Sequence, residues 1–412
     1  MVDTTEATSD TAGRPFQKSG IRKRAARTYG DQVSGYAKQR ASERIATLTQ
    51  QGLDLVTLWR ESTEVLTAAV PHYQAPCWYT LDPASLLVTS HFNEGMPELP
   101  TEWLAQEYYA EDVNQLADVA RSAQGISTLY EATGGDPASS PRWHDNMTMG
   151  GDQELIACLR TKSGEVWGAL GLYREQGQPL FDHDELDFLR TVAPLLAAGA
   201  RSSLLLGEAT DPEGADAPGL IVITEDWEIE SATPGVERWL GELPDGDLAA
   251  GRLPSAVLAV AGRALRTATY PDAGEVAVSR VMARSGRWVV LHGTSLVSSS
   301  SRRVAVIVEP AHPGRIAPLL MAAYGLTDRE QEVTRLVLQG NSTTGIAGRL
   351  FVSANTVQQH LKSVFDKTGV RSRRDLVGKI FFAHYEPRVR DNEHRAADGQ
   401  PLRGGPVTGL SP

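Results

Sequence analysis

The chain has 412 residues, a length that accommodates about three domains of ordinary size. Apolar residues make up 41% of the sequence, as in globular proteins with a buried core. The net charge is −11, which taken alone argues against a nucleic-acid partner because a polyanion repels an acidic surface. Cys77 and Cys158 are the only cysteines, which excludes a disulfide framework and a paired-cysteine zinc site.

The sequence lacks the patterns of a membrane span and a signal peptide. Its longest apolar stretch, 192–206, is interrupted by Arg201, Ser202 and Ser203 and is shorter than the roughly 20 residues that cross a bilayer. The chain begins with acidic and polar residues, whereas a signal peptide begins with basic residues and continues with apolar ones. We therefore expect a cytoplasmic protein without a membrane partner.

The first predicted domain follows a polar arm over 1–30, which carries a basic run and is expected to be flexible. Between 31 and 206 the pattern predicts an α+β domain that opens with helices and closes with a long amphipathic helix. That exit helix carries apolar residues at helical spacing, among them Leu186 and Val192, and we expect it to contribute to dimerisation. The predicted strands of this domain are 76–81, 86–92, 154–160 and 166–174.

A second α+β domain is predicted over 219–311, after a linker over 207–218 that is too rich in Gly, Pro and acidic residues to form a core. It begins with two short strands and a short helix. A hairpin around Ser285-Gly286 and a last strand over 303–309 follow.

The element order of the first domain resembles that of a GAF domain, with the string Gly168-Ala169-Leu170-Gly171-Leu172-Tyr173 followed by Phe181 and an acid-rich helix. The second domain, with two strands, short helices and a three-strand meander, is similar to a PAS domain. Both resemblances imply sensory domains, and a generic α+β domain is the alternative for the second.

Charge is distributed unevenly along the chain. Residues 322–388 contain ten Lys or Arg and six Asp or Glu, so this segment carries +4 and the remainder carries −15. A small basic module on an acidic body is typical of a DNA reader attached to a separate regulatory part.

The basic segment reads as four helices from local rules. Thr327 and Glu330 form a capping box at the start of the first helix, and Gly340 follows its end. Ser342 and Ser353 are N-caps of the second and third helices, and the fourth begins near Ser372. Two short helices joined by a tight turn predict a helix-turn-helix.

The third helix has a polar front near its N-terminus, formed by Gln358, Gln359 and Lys362. Glutamine can pair with adenine through two hydrogen bonds, and lysine can donate to guanine O6 and N7. These three side chains are therefore the candidates for reading DNA bases, although polar residues at this spacing also make an ordinary solvated helix face.

A long ordered string in this segment resembles the LuxR-type DNA-binding domain. It runs from Leu326-Thr327-Asp328-Arg329-Glu330 through Ile346-Ala347, Val352-Ser353 and Thr356-Val357 to Lys367-Thr368-Gly369-Val370. The resemblance implies an all-α four-helix module over 316–386 that binds double-stranded DNA as a homodimer. It also implies RNA polymerase as a partner, and a disordered tail is expected over 387–412. The resemblance places the following residues near phosphates: Thr343, Thr344, Thr356, Lys367, Ser372 and Arg373.

One departure from the pattern lies in the second helix. Gly345 and Gly348 fall inside it, where each costs about 0.5–1 kcal/mol relative to alanine. We expect this helix to fray without DNA.

The sequence indicates the signal that the protein responds to less clearly than it indicates the DNA-binding module. The sequence has no Gly-x-x-x-x-Gly-Lys-Ser/Thr loop, receiver pattern, catalytic triad order or metalloprotease motif, so we expect a regulator without enzymatic activity whose cofactor is unknown. A small-molecule effector is the expected signal, and a front half that serves only as a dimerisation or protein-interaction scaffold is the alternative. Aromatic residues are candidates for an effector pocket, with core packing as their alternative role: Trp78, Tyr79, Tyr108, Trp143 and Trp167.

Overall fold

The computed structural model describes residues 35–95, 100–205, 218–271, 275–296, 302–311 and 313–382. The predicted arm over 1–30, nearly all of the predicted linker and the tail over 387–412 lie outside these ranges.

The first domain is built on a five-stranded sheet. Its strands are β1 (Tyr73–Leu81), β2 (Val88–Phe92), β3 (Ile126–Thr128), β4 (Gln153–Arg160) and β5 (Val166–Arg174), in the spatial order β2-β1-β5-β4-β3. Every neighbouring pair is antiparallel. The four strands expected from the sequence are present, and the hairpin turn at Ser163-Gly164 has Gly164 at a φ of 103°, in the left-handed region that glycine adopts readily.

One face of this sheet is covered by three helices: α1 (35–48), α2 (Leu55–Ala69) and α7 (His183–Leu205). The apolar residues of α7 are buried in this layer, including Leu186, Leu189, Val192 and Leu196. The long exit helix is therefore a core element of its own domain, and its apolar stripe is not a free surface for pairing with a second copy.

Between β2 and β4 the chain forms four short helices that the sequence pattern did not reveal: α3 (Thr101–Tyr109), α4 (Leu116–Arg121), α5 (Leu129–Ala132) and α6 (Pro141–Thr148). Of these, α3 and α4 pack on the other face of the sheet. The strand β3 also lies in this segment. Polar residues obscure the helical period here because the helices are short and each buries only a few side chains.

The second domain repeats the topology of the first. Its strands are β6 (Gly219–Ile223), β7 (Ile229–Ala232), β8 (Val278–Met282), β9 (Trp288–Leu296) and β10 (Arg303–Pro310), in the order β7-β6-β10-β9-β8. Numbered within each domain, both sheets have the order 2-1-5-4-3. The helices of this domain are α8 (Val236–Glu242) and α9 (Ser255–Thr269).

The helix α9 joins the two domains into one core. Every residue from Ser255 to Leu265 is buried, because α9 packs on its own sheet and also on α3 and β2 of the first domain. A single apolar cluster accordingly contains residues of both domains. Gly262 allows the closest approach, since a Cβ at this position would lie 2.3 Å from the carbonyl oxygen of Ala105 on α3.

Polar contacts border this shared core. The buried carboxylate of Asp82, at the end of β1, accepts hydrogen bonds from both the backbone N–H and Nε of Arg280 on β8, each at 3.0 Å. Asp245 accepts from the backbone N–H groups of His91 at 2.8 Å and Ser255 at 2.9 Å. Both aspartates accept these hydrogen bonds as carboxylates, and hydrogen bonds to a charged group are stronger than those between neutral groups.

The C-terminal module is helical, as predicted. It contains α11 (Asp328–Leu338), α12 (Thr343–Leu350), α13 (Ala354–Thr368) and α14 (Arg373–Val377), with a short π-helical turn over Gly378–Phe382. A further helix that the sequence analysis did not identify, α10 (Pro313–Ala323), precedes them. The predicted combination of α+β front half and all-α C-terminal module is confirmed. Among the described residues, none of the helices has the length and apolar character needed to cross a membrane.

Replacing Gly262 by alanine should destabilise the junction of the two domains. The new methyl group would meet the backbone of Ala105, which cannot move aside as a side chain can, so we expect a loss of about 1–3 kcal/mol and a lower thermal midpoint of the full chain. Gly241 is the matched control, because it is also helical and a Cβ there meets nothing within 4 Å. Gly241→Ala should be neutral or stabilising, and equal midpoints for the two variants would contradict the packing argument.

A candidate DNA-reading helix and a candidate sensor cavity

The helix α13 presents the polar face that the sequence predicted. Gln358, Gln359 and Lys362 are all exposed, while Val357 and Leu361 on the opposite face are buried in the core of the module. Ser353 caps the helix, accepting from the Thr356 backbone N–H at 3.0 Å. The buried face fixes the rotation of the helix, so the three polar side chains point away from the module together.

The turn between α12 and α13 has a strained backbone. Phe351 ends α12 at a φ of 55°, in the left-handed region that a non-glycine residue adopts at a cost. Its side chain is 94% exposed, an uncommon environment for phenylalanine. The sequence pattern does not single out this residue. Phe351 lies between the end of α12 and the Ser353 cap of α13.

Several of the predicted phosphate-contacting residues already have protein partners. Thr344 is exposed on the first turn of α12, and Thr343 accepts a 3.5 Å hydrogen bond from Gln358 Nε2. Ser372 caps α14 through the Asp375 backbone N–H at 3.1 Å. Arg373 donates to the carbonyl of Asn341.

Lys367 is held by an internal ion pair. Its Nζ donates to Glu330 Oε2 at 2.6 Å, and the same carboxylate accepts from Ser363 Oγ at 2.6 Å and the Thr327 backbone N–H at 2.7 Å. Burial alone would raise the pKa of Glu330, but the hydrogen bonds from Lys367, Ser363 and Thr327 outweigh it and lower that pKa to about 2. The capping box of α11 and the end of α13 are thus tied together at one carboxylate.

The helix α10 connects the module to the front half through two different faces. Ile316, Leu319, Leu320 and Ala323 pack with Trp167 of β5 and Trp288 of β9. Met321 belongs instead to the core of the C-terminal module, with Tyr324 packed against that core. The indole N–H groups of Trp167 and Trp288 are buried without a partner within the described part of the chain. An unpaired buried donor costs about 1–3 kcal/mol. The contact between α10 and the sheets is therefore apolar and leaves these two donors without hydrogen bonds.

The first domain contains a cavity of about 120 Å³ on the side of its sheet that carries α3 and α6. Its walls come from β1, β4 and β5 and from both helices. A bulge in β1 helps to open it: the pairing with β5 shifts between Tyr73 and Cys77, and Gln74 within the bulge adopts a φ of 59°. Bulges of this kind re-aim side chains next to functional sites.

The charged groups of the cavity form one connected cluster. Arg142 on α6 donates to Glu107 and, at 3.2 Å, to Glu154 Oε1. Glu107 also accepts from the Leu116 backbone N–H at 2.5 Å, and Glu154 accepts from Asn114 Nδ2 at 2.8 Å. Burial raises the pKa of Glu107, and the neighbouring Arg142 only partly offsets this. Two buried carboxylates thus share one guanidinium.

The five predicted pocket residues lie in five different places. Of the five aromatic candidates, Tyr79 lines the cavity. Trp78 points to the opposite face of the sheet, where it stacks on Trp59 at 4.5 Å between ring centroids. Strand alternation separates these two neighbours, since successive side chains of a strand face opposite sides.

The other three candidates have structural contacts elsewhere. The Tyr108 hydroxyl accepts from the Val88 backbone N–H at 2.9 Å and donates to the Leu86 carbonyl at 3.1 Å. Trp143 donates to Asp152 Oδ1 at 3.1 Å, and Trp167 lies under α10. The aromatic side chains that join Tyr79 in the cavity are Tyr73, Trp103 and Tyr173, which residue type alone could not distinguish from the others.

Residues 325–379 match the family described as bacterial regulatory proteins, luxR family. Over 52 residues the chain is 54% identical to helix-turn-helix transcriptional regulators of Mycobacterium bovis and Mycobacterium tuberculosis. The matched segment is 13% of this chain and spans only 6% of the length of each of those relatives. The C-terminal segment is therefore a LuxR-type helix-turn-helix domain.

Among solved structures, the chain is similar to the phycoerythrobilin-bound GAF domain of a cyanobacterial phytochrome, with 18% identity, 41% of this chain and 96% of that chain covered, and a TM-score of 0.30. The VqmA dimer of Vibrio cholerae, a LuxR-type receptor, has 18% identity with 40% of this chain and 81% of that chain covered, and a TM-score of 0.19. With TM-scores this low, neither likeness bears on the function of this chain.

Glu330→Gln should destabilise the helix-turn-helix module, most clearly at neutral pH. Because the pKa of Glu330 is about 2 in the folded protein and 4.5 ordinarily, its contribution is complete above pH 4.5 and is lost as the pH falls towards 2. We expect the opening free energy of residues 325–379, measured by hydrogen exchange, to fall by about 1–3 kcal/mol at pH 7.

The matched control for this variant is Glu332→Gln on the same helix. The side chain of Glu332 is 42% exposed and pairs with Arg329 one turn away, an arrangement worth a few tenths of a kcal/mol. Equal effects of the two substitutions, or a loss at position 330 that does not diminish below pH 4.5, would contradict the role given to the Glu330 carboxylate.

Proposed function

We propose that this chain is a sequence-specific transcriptional regulator that binds double-stranded DNA through α13 and responds to a small molecule bound by its front half. The observation that carries the proposal is the match of residues 325–379 to the luxR regulatory family, together with the exposed face of Gln358, Gln359 and Lys362 on a helix whose other side is buried. A protein with this output acts in the cytoplasm and has no catalytic role.

The chemistry of α13 supports base reading. A major groove admits one α-helix, and the side chains near its N-terminus reach the base edges. Gln358 and Gln359 lie in the first turns of α13, and Lys362 follows one turn later. In this proposal the contacts to phosphates come from Thr343, Thr344, Thr356, Ser372 and Arg373. Lys367 joins them only if it gives up its pair with Glu330.

The proposed DNA-bound form is a homodimer that recruits RNA polymerase. Family resemblance assigns the dimer contact to the last helix of the module, where Leu376 and Ile380 are buried in the core and Val377 remains half-buried. The pairing surface of the proposed dimer therefore centres on Val377 and the exposed side of α14.

The helix α10 supports a route from the front half to the DNA-binding module. It packs against β5 and β9 with one face and against the module with the other. A shift of either sheet would therefore move a helix that is also part of the core of the module. The cavity next to β5 favours a sensor over a pure scaffold. A ligand shifts such an equilibrium only by its difference in affinity for the two arrangements.

The proposal predicts a two-fold symmetric DNA site. Selecting the full chain against a randomised duplex library and footprinting the winner should reveal two half-sites related by a dyad, because a symmetric dimer presents two copies of α13. Light scattering of the complex should give two chains per duplex. Protection of one unrepeated half-site by a single chain would contradict the dimer, and the absence of any sequence preference would contradict base reading.

Replacing the glutamines should reduce specificity. Gln358→Ala or Gln359→Ala is expected to cost about 1–3 kcal/mol on the selected site and little on random duplex, because only base contacts distinguish the two. Thr344→Ala is the comparison, since loss of a phosphate contact weakens binding to both DNAs alike. Competition binding at fixed salt measures the ratio, and equal losses on both DNAs for the glutamine variants would rule out their role in base reading.

A further inference from the structure

The cavity of the first domain carries an excess of negative charge. Its charged lining residues are four carboxylates, Glu107, Asp112, Asp145 and Glu154, and one guanidinium, Arg142. Glu107 and Glu154 are 9% and 1% exposed, so solvent screens them little. Burial also raises the pKa of Asp145, as expected where carboxylates crowd a poorly solvated site. Arg142 offsets only one of these charges.

Aromatic rings form much of the remaining wall. Tyr73, Tyr79, Trp103 and Tyr173 line the same cavity as the carboxylates. The face of an aromatic ring attracts cations through its quadrupole. Acidic groups and aromatic faces together favour a positively charged occupant that is small and partly apolar, whereas a carboxylate or phosphate ligand would be repelled by both.

Two buried donors in the cavity wall lack a partner. Asn146 is 8% exposed and lines the cavity, and its Nδ2 has no hydrogen-bond partner within the described part of the chain. Arg142 Nε is in the same condition. Buried donors are normally paired, and both of these lie on α6, opposite the sheet. An occupant with a hydrogen-bond acceptor on the α6 side of the cavity can supply the missing partner.

We infer that the cavity binds a small organic ammonium ion that also carries a hydrogen-bond acceptor. The ammonium group lies near Glu154 and Asp145 and against the aromatic rings, and the acceptor faces Asn146 and Arg142. Each carboxylate has about four acceptor positions, so Glu154 can accept from an ammonium without releasing Arg142, Asn114 or the Tyr173 hydroxyl. This assignment rests on the proposed sensory function of the front half and names the chemical class of its ligand.

Three probes of the same shape test the assignment on the purified full chain without DNA. Tyramine carries an ammonium group and a phenol, 2-(4-hydroxyphenyl)ethanol is its neutral counterpart, and 3-(4-hydroxyphenyl)propanoate is its anionic counterpart. Titration calorimetry or ligand-observed NMR should give tyramine an affinity at least about tenfold higher than the neutral probe, and the anion should bind most weakly.

Two variants and a control connect this preference to the cavity. Glu154→Gln keeps the shape of the side chain but loses its charge and one of its accepted hydrogen bonds, because the amide NH2 group faces Arg142 or Asn114, which both donate. Asp145→Asn removes a charge from a half-buried position, so it preserves the core. Either should reduce the preference for tyramine over the neutral probe to about twofold. Glu131→Gln changes an exposed carboxylate outside the cavity and should leave all three affinities unchanged.

The assignment is overturned if the neutral or anionic probe binds as tightly as tyramine, if no probe binds at about 10 mM, or if both cavity variants retain the full preference. These outcomes leave the DNA-binding proposal standing, because that proposal is measured by footprinting and competition on duplex DNA. Conversely, failure to find a DNA site would not change the ligand measurements.

Discussion

The close approach of α3 and α9 is the contact on which the arrangement of the front half depends. The carbonyl of Ala105 occupies the space that a side chain at position 262 would need, so the two helices meet backbone to backbone. This contact buries α9 along most of its length and merges the apolar residues of two sheets into one cluster. The pair of domains consequently behaves as one packed unit, with Asp82 and Asp245 fixing its polar border.

The attachment of the DNA-binding module is of a different kind. It depends on α10, whose Leu319 and Leu320 pack beside Trp167 and Trp288. The two indole N–H groups at this contact have no partner in the described part of the chain. Because α10 packs on both sheets of the front half and on the module, it is the element through which we propose that a change in the front half reaches the module.

Local rules predicted the output domain well because its helices begin with side chains that satisfy their own backbone. Thr327, Ser342, Ser353 and Ser372 each cap a helix in the structure as their sequence context indicated. The exposed position of Gln358 and Gln359 follows from the helical period once Val357 and Leu361 are assigned to the core. The strands of the front half were also predictable in outline, since alternation and Gly-containing turns are local signals.

The cavity could not be predicted in the same way. Its charged residues come from α3, the loop after α3, α6 and β4, elements that are separated in the sequence. The helices α3 and α6 also have too few buried residues to show a clear period. Tyr79 reaches the cavity while the adjacent Trp78 stacks on Trp59 in the opposite layer, a distinction that requires knowing which face of β1 each helix covers. The partner of Lys367 likewise depends on how α11 crosses α13.

The sequence alone determined the helix-turn-helix, its caps and its outward polar face, because these depend on interactions within a few residues. The shared core around α9, the joining role of α10 and the charged cavity were decided by the tertiary structure, because each depends on side chains brought together from separate elements.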